Sequence, residues 1–289
     1  MIEVDEKNKK KYDTFSITME LEKTSILDAL SEGGVNDHNG GGRDKKKKKT
    51  TKKFLIAIAI ALSMAAIIFI IWANMTYKPQ ALAELSMISD SKVEVKVDKY
   101  INFTPKGKEP KKGMIFYPEA KIKPEAYAPL CREIAEEGYE VVIVPMRLNL
   151  ATMSQNRAQG VIDSYPNISN WSIAGHGMGG SCASKFASTS NRISGVILLS
   201  SFPMDDEIKD IGKKVISIWG SKDGVVDYER LVSSKAKLPA DTTYIEIEGG
   251  NHSQFGDYGQ QNGDNEAIVT SEKQLSKTVT NILRFMKNL

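Results

Sequence analysis

Residues 171–180 read WSIAGHGMGG, a short apolar run that breaks into glycine and resumes as small and apolar residues. A run this short and this apolar predicts a strand covered on both faces. Gly175, Gly177, Gly179 and Gly180 crowd the stretch that follows, which predicts a turn too sharp for side chains and a helix starting near Met178. Strand, tight turn and helix form the unit from which parallel sheets are assembled.

Working outward, comparable apolar runs lie at 114–117, 140–144, 195–199, 214–219 and 243–247. Helical spacing at 124–137, 151–164, 178–188, 228–235 and 271–287 fills the gaps between them. Val93, Val95 and Val97, then Ile101 and Phe103, alternate with period two, so residues 92–104 predict antiparallel strands. The fold class is therefore α/β, a doubly wound, mostly parallel sheet over residues 92–289. Right-handed crossovers place helices on both faces, and ligands bind beyond the carboxyl ends of the strands. Cys131 and Cys182 fall on helices expected to cover opposite faces, too far apart for a disulfide.

Residues 54–73, FLIAIAIALSMAAIIFIIWA, carry no charge over a length that crosses the hydrocarbon of a bilayer. RDKKKKKTTKK precedes them, whereas Lys78 is the only base close behind, so a transmembrane helix over 54–75 is expected with residues 1–53 in the cytoplasm. Trp72 and Tyr77 stand where interfacial aromatics stand, and the lipid bilayer is the first expected partner. The apolar segment is too long and lies too far into the chain for a cleaved signal peptide. Residues 1–53 are expected to be a largely disordered tail, with a weakly amphipathic stretch at 15–30 and a flexible glycine-rich stretch at 33–42. Residues 76–91 are expected to be a linker. The formal net charge is only +3; residues 1–53 hold 13 Lys and Arg against 10 Asp and Glu, leaving 26 of each sign beyond. A net charge this small does not suggest nucleic acid as a partner, and a neutral C-terminal domain argues against steering of a strongly charged substrate.

Three points fall at predicted strand ends. After residues 171–176 comes Gly177; WGSKDG, 219–224, places Asp223 after a strand; EGGNHSQFG, 248–256, places His252 after the last one. Their order, with Gly175 and Gly179 framing a G-x-S-x-G elbow, is that of the α/β-hydrolases. Residues from about 110 onward resemble the short bacterial hydrolases of the dienelactone-hydrolase-like group. The resemblance rests on IFYPEAKIKPEAYAPL, VPMRLNLA, WSIAGHGMGG, SIWGSKDGVV and LPADTTYIEIEGGNHSQFGDYG. It implies the α/β-hydrolase fold and hydrolysis of a small ester or other acyl substrate by a Ser-His-Asp triad, without metal or cofactor. His252 would be the general base, Asp223 its orienting acid, and the Met178 N–H one donor of the oxyanion hole.

The chain departs from that pattern twice. The nucleophile position holds Gly177, which cannot form an acyl-enzyme. The loop that would supply the second oxyanion donor reads Tyr117-Pro118-Glu119, where relatives read Tyr-Pro-Gly, and a carboxylate there opposes the charge the hole stabilises. Three readings follow: an impaired or inactive pseudoenzyme displayed outside the cell; a hydrolase using water or another side chain with the His252–Asp223 dyad; or a non-hydrolytic enzyme using His252 as base. Ser181 and Cys182, one turn further on, are expected to be ordinary helix residues.

Overall fold

The structure, a computed structural model, describes residues 43–289. The expectations for 15–30 and 33–42 lie outside the described residues. The first helix, α1 (Arg43–Asn74), contains 24 residues, Thr51–Asn74, long and apolar enough to cross a membrane. It begins before the expected boundary at 54 because lysine is a good helix former and carries the helix backward through the basic run.

Residues 76–91 are not the plain linker that the sequence suggested. They contain α2 (Ala81–Ser86), tied to the rest of the unit formed by residues 65–289. Asp257 accepts the Ala83 N–H at 2.7 Å on its carboxylate and the Gln80 N–H at 2.8 Å on its carbonyl. Tyr77 bridges Ile122, and the Arg132 guanidinium donates to the carbonyls of Ser86 and Ile88. None of these partners lies near in sequence, so composition alone left the segment looking free.

The chain then builds β1 (Val93–Val97), β2 (Ile101–Pro105), β3 (Lys112–Tyr117), α3 (Ala128–Glu136), β4 (Glu140–Ile143), α4 (Arg157–Ser164), β5 (Asn170–His176) and α5 (Met178–Thr189). It continues through β6 (Ile193–Leu199), β7 (Lys214–Gly220), α6 (Tyr228–Ser233), β8 (Thr243–Ile247) and α7 (Ser271–Lys287). The strands make one eight-stranded sheet in the order β1-β2-β4-β3-β5-β6-β7-β8. β1 and β2 run antiparallel to their neighbours; every pairing from β4 to β8 is parallel.

Alternation along the central strands sorts the core into two layers. Met114, Phe116, Ala174, Ile197 and Leu199 face α3 and α7, while Ile115, Tyr117, Ile173, Val196 and Leu198 face α4 and α5. These strands read as unbroken apolar runs because both faces are covered. Cys131 lies in the first layer and Cys182 in the second, both free and buried.

Two expected helices start later than their periodicity suggested. The segment 124–137 opens as a 3₁₀ turn, Pro124–Tyr127, and becomes α-helical only with Pro129 in its first turn, where the missing N–H costs nothing. In 151–164 only α4 is α-helical. The buried Tyr117 hydroxyl accepts the Ala158 N–H at 2.9 Å and donates to the Gln155 carbonyl at 2.6 Å, which fixes where that helix starts. A tertiary contact, not a local signal, sets the boundary.

Candidate active site

The ends of β3, β5, β7 and β8 converge at the carboxyl edge of the sheet, and the residues singled out by sequence gather there. β5 ends in a turn whose central residue, Gly177, has φ 47° and ψ −119° before α5 begins at Met178. This conformation costs a residue with a side chain about 1–3 kcal/mol and glycine little. The framing glycines answer a different demand. A Cβ on Gly175 would strike the Gly179 backbone, and one on Gly179 would strike the Tyr117 and Pro118 carbonyls.

Across from the turn, the His252 Nδ1 and the Asp223 Oδ2 share a hydrogen bond of 2.9 Å. The other Asp223 oxygen accepts the backbone N–H groups of Val225 and Val226, at 2.9 and 2.8 Å, which fixes the carboxylate. Burial pushes the Asp223 carboxyl up, but the His252 ring and the Val226 N–H outweigh it and hold the group below the usual range. Burial pushes His252 down, while the Asp223 hydrogen bond and the charges of Asp223 and Glu119 push harder and raise it. The His252 loop is pinned from behind by Gln274, fully buried, which accepts the Asn251 N–H at 2.9 Å and donates to the Asn251 carbonyl at 2.7 Å. A second clamp is Asp264, which takes the Ser253 N–H at 2.8 Å and the Ser253 hydroxyl at 2.6 Å.

Glu119 decides the character of the site. Its side chain turns inward, so that a Cβ on Gly177 would overlap its Oε2. The same oxygen accepts the Met178 N–H at 2.8 Å, and Oε1 accepts the Ala120 N–H at 2.6 Å. His252 Nε2 stands 3.9 Å from Oε2. Burial raises the Glu119 carboxyl above its ordinary value, against the His252 charge and the two backbone N–H groups. The carboxylate thus fills the volume of the side chain that Gly177 lacks and occupies the Met178 donor.

His176, the last residue of β5, is fully buried and packs on His252 with ring centroids 4.2 Å apart and planes tilted by 37°. Its Nδ1 meets the Tyr127 hydroxyl at 2.9 Å, and that hydroxyl accepts the Glu119 N–H at 3.2 Å. Burial, together with the His252 charge, keeps the His176 ring well below its ordinary value and therefore neutral. Tyr127 escaped the sequence reading, since nothing local marks a buried tyrosine as a neighbour of residues fifty positions away. Ser181 donates to the Phe202 carbonyl at 2.7 Å, and burial pushes the Cys182 thiol up to about 11. Both belong to α5 packing. Asp257 caps α2, and Tyr258 packs on Tyr77 and Tyr127.

Fold, strand order and the convergence at one sheet edge are those of a hydrolase scaffold. The chain belongs to the Alpha/beta hydrolase family, whose sequence profile matches residues 113–276. Solved structures share the fold at low identity. The esterase domain of a Rhodothermus marinus protein aligns with a TM-score of 0.52 at 9% identity, over 65% of this chain and 92% of its own. A dienelactone hydrolase-like promiscuous phosphotriesterase from metagenomic libraries gives 0.51 at 16% identity, over 69% and 99%. A predicted CIB-like hydrolase from Thermoplasma acidophilum gives 0.50 at 14% identity, over 66% and 98%. No curated protein sequence matches the chain.

Proposed function

We propose that this is a membrane-anchored member of the hydrolase family whose serine-type acyl chemistry is blocked at its own active site. The single observation that carries the reading is the Glu119 carboxylate. It lies where a Gly177 side chain would begin and takes the Met178 N–H that would otherwise stabilise a developing oxyanion. In this reading Gly177 is the nucleophile position without a nucleophile, and Asp223 and His252 are the retained acid and base. The ligand in this reading is a small ester or acyl compound. α1 is the anchor, with the basic run in the cytoplasm and the hydrolase domain outside.

The second reading, a hydrolase that activates water or another group, draws support from the intact His252–Asp223 hydrogen bond, which a purely structural domain does not need. The two readings separate on the native protein. Fluorophosphonate should leave the chain unlabelled, and activated esters should turn over near background. Stoichiometric acylation of any side chain would overturn the blocked-site reading. For the anchor, protease added to intact cells should remove the Asp223 and His252 region and spare the tail; the reverse pattern would overturn that topology.

A further inference from the structure

Two buried imidazole nitrogens, Nε2 of His176 and Nε2 of His252, have no hydrogen-bond partner in the protein. Buried polar atoms of this kind are rare and call for a physical reason. A missing serine accounts for the one on His252, but not for the one on His176. Glu119 completes a cluster: one donor atom each from Glu119, His176 and His252 lies within 4.8 Å of the other two.

We infer that Glu119, His176 and His252 form a site for one divalent transition-metal ion, of which Zn²⁺ is the best fit. Two imidazoles and one carboxylate, with a fourth position open, make a known zinc ligand set, and two nitrogens with one oxygen disfavour Mg²⁺ and Ca²⁺. The outer partners are in place. His252 turns its Nδ1 to Asp223 and His176 turns its Nδ1 to Tyr127, each at 2.9 Å. The Asp223 carboxylate can only accept, so His252 carries its proton on Nδ1 and aims a lone pair from Nε2; the Tyr127 hydroxyl is able to accept from His176 Nδ1 in the same way, which would free the His176 Nε2 lone pair for the ion. Charge agrees: the carboxylates of Glu119 and Asp223, buried together, are balanced by one divalent cation beside two neutral rings. Glu119 Oε2 accepts the Met178 N–H and keeps a second lone pair for an ion. Ligand atoms about 2.0–2.2 Å from a shared ion lie closer together than the present spacing. Closure therefore requires the three side chains to draw in around the ion. Gly177 makes this possible, because any side chain there would displace the carboxylate. No spacing motif announces the site, since His176 ends β5 and His252 lies in the loop after β8.

The test uses the full-length protein in detergent, stripped with a chelator and titrated with Zn²⁺ or Co²⁺ alone against a chromophoric competitor. One ion per chain is expected, with a Co²⁺ visible spectrum of low coordination number. Glu119→Gln, nearly isosteric, should weaken binding at least about 100-fold and abolish the intense Co²⁺ bands. Asp223→Asn should weaken it about 10–100-fold through the His252 ring. His38→Ala, at the one histidine outside the cluster, should leave binding unchanged. His176→Ala is the direct variant, but Glu119→Gln keeps the test decisive should the alanine variant not fold. No stoichiometric binding, or binding equal in the native protein and Glu119→Gln, would overturn the inference. Metal content and ester turnover are separate readouts, so this site and the blocked-site reading can fail independently.

Discussion

The two halves of the active site are built to different standards. On the side of β7 and β8, Asp223 and His252 form a hydrogen-bonded pair, and Gln274 and Asp264 hold its loop from behind. On the side of β3 and β5, the turn at Gly177 has positive φ and no side chain, and Glu119 occupies the adjoining space and the Met178 N–H. In the blocked-site reading, the support of the base is complete while the nucleophile's place is filled by another side chain. Gly177 and Glu119 are therefore one feature. A carboxylate fits here only because Gly177 has no Cβ, and a side chain on Gly177 fits only if Glu119 moves.

The largest effect should come from undoing both changes at once. Gly177→Ser alone should stay near the native rate, because the new Cβ runs into Glu119. Gly177→Ser with Glu119→Gly should label with fluorophosphonate and raise ester turnover by at least about 10³-fold, the scale of one oxyanion donor. Adding Asp223→Asn should then lower kcat by about 10⁴-fold, since an amide no longer holds the His252 tautomer. If Gly177→Ser alone matches the double variant, Glu119 is not the block and the two halves are closer in quality than they look.

A second buried carboxylate sharpens the comparison. Glu140, 1% exposed at the opposite end of the sheet, has the Thr104 hydroxyl at 2.9 Å but no backbone donors like those of Glu119. Burial, against that hydroxyl, pushes its carboxyl from 4.5 up to about 7. The unfolded chain releases this proton first as pH rises. The stabilisation is therefore complete below the unfolded value and is lost as pH climbs through about 7. Glu140→Gln should gain about 3 kcal/mol on the native chain above that pH and nothing in acid, read from urea midpoints. A pH-independent difference would place the effect in packing.

A smaller effect tests the support of the base. Gln274→Ala strands the Asn251 N–H and carbonyl and should cost about 2 kcal/mol in stability. In the Gly177→Ser, Glu119→Gly background it should lower kcat with KM little changed, because Gln274 positions His252 without reaching the substrate. Equal losses in kcat and KM, or none in kcat, would reduce Gln274 to a core residue.

Much of this was legible without coordinates. The apolar runs marked the parallel strands β3 to β7 because these are covered on both faces, leaving little polar alternation to confuse them, while the edge strand β8 is half exposed. The glycines of 175–180 marked the turn, and Asp223 and His252 stood out as polar residues directly after strands. Residues 76–91 were misread because their partners, Asp257, Ile122 and Arg132, lie far along the chain.

By itself, the sequence determined the fold class, the apolar helix, the elbow and the absence of a hydroxyl at its centre. Those properties follow from local periodicity, from the steric needs of one turn and from residue identity. Only the tertiary structure decided where the Glu119 carboxylate points, that His176 lies against His252, and that Tyr127 and Gln274 hold the parts in register. These depend on which strand ends meet at the sheet edge, and on the volume left empty when residue 177 has no side chain. That volume is a property of the packed molecule, filled by whichever neighbour can reach it.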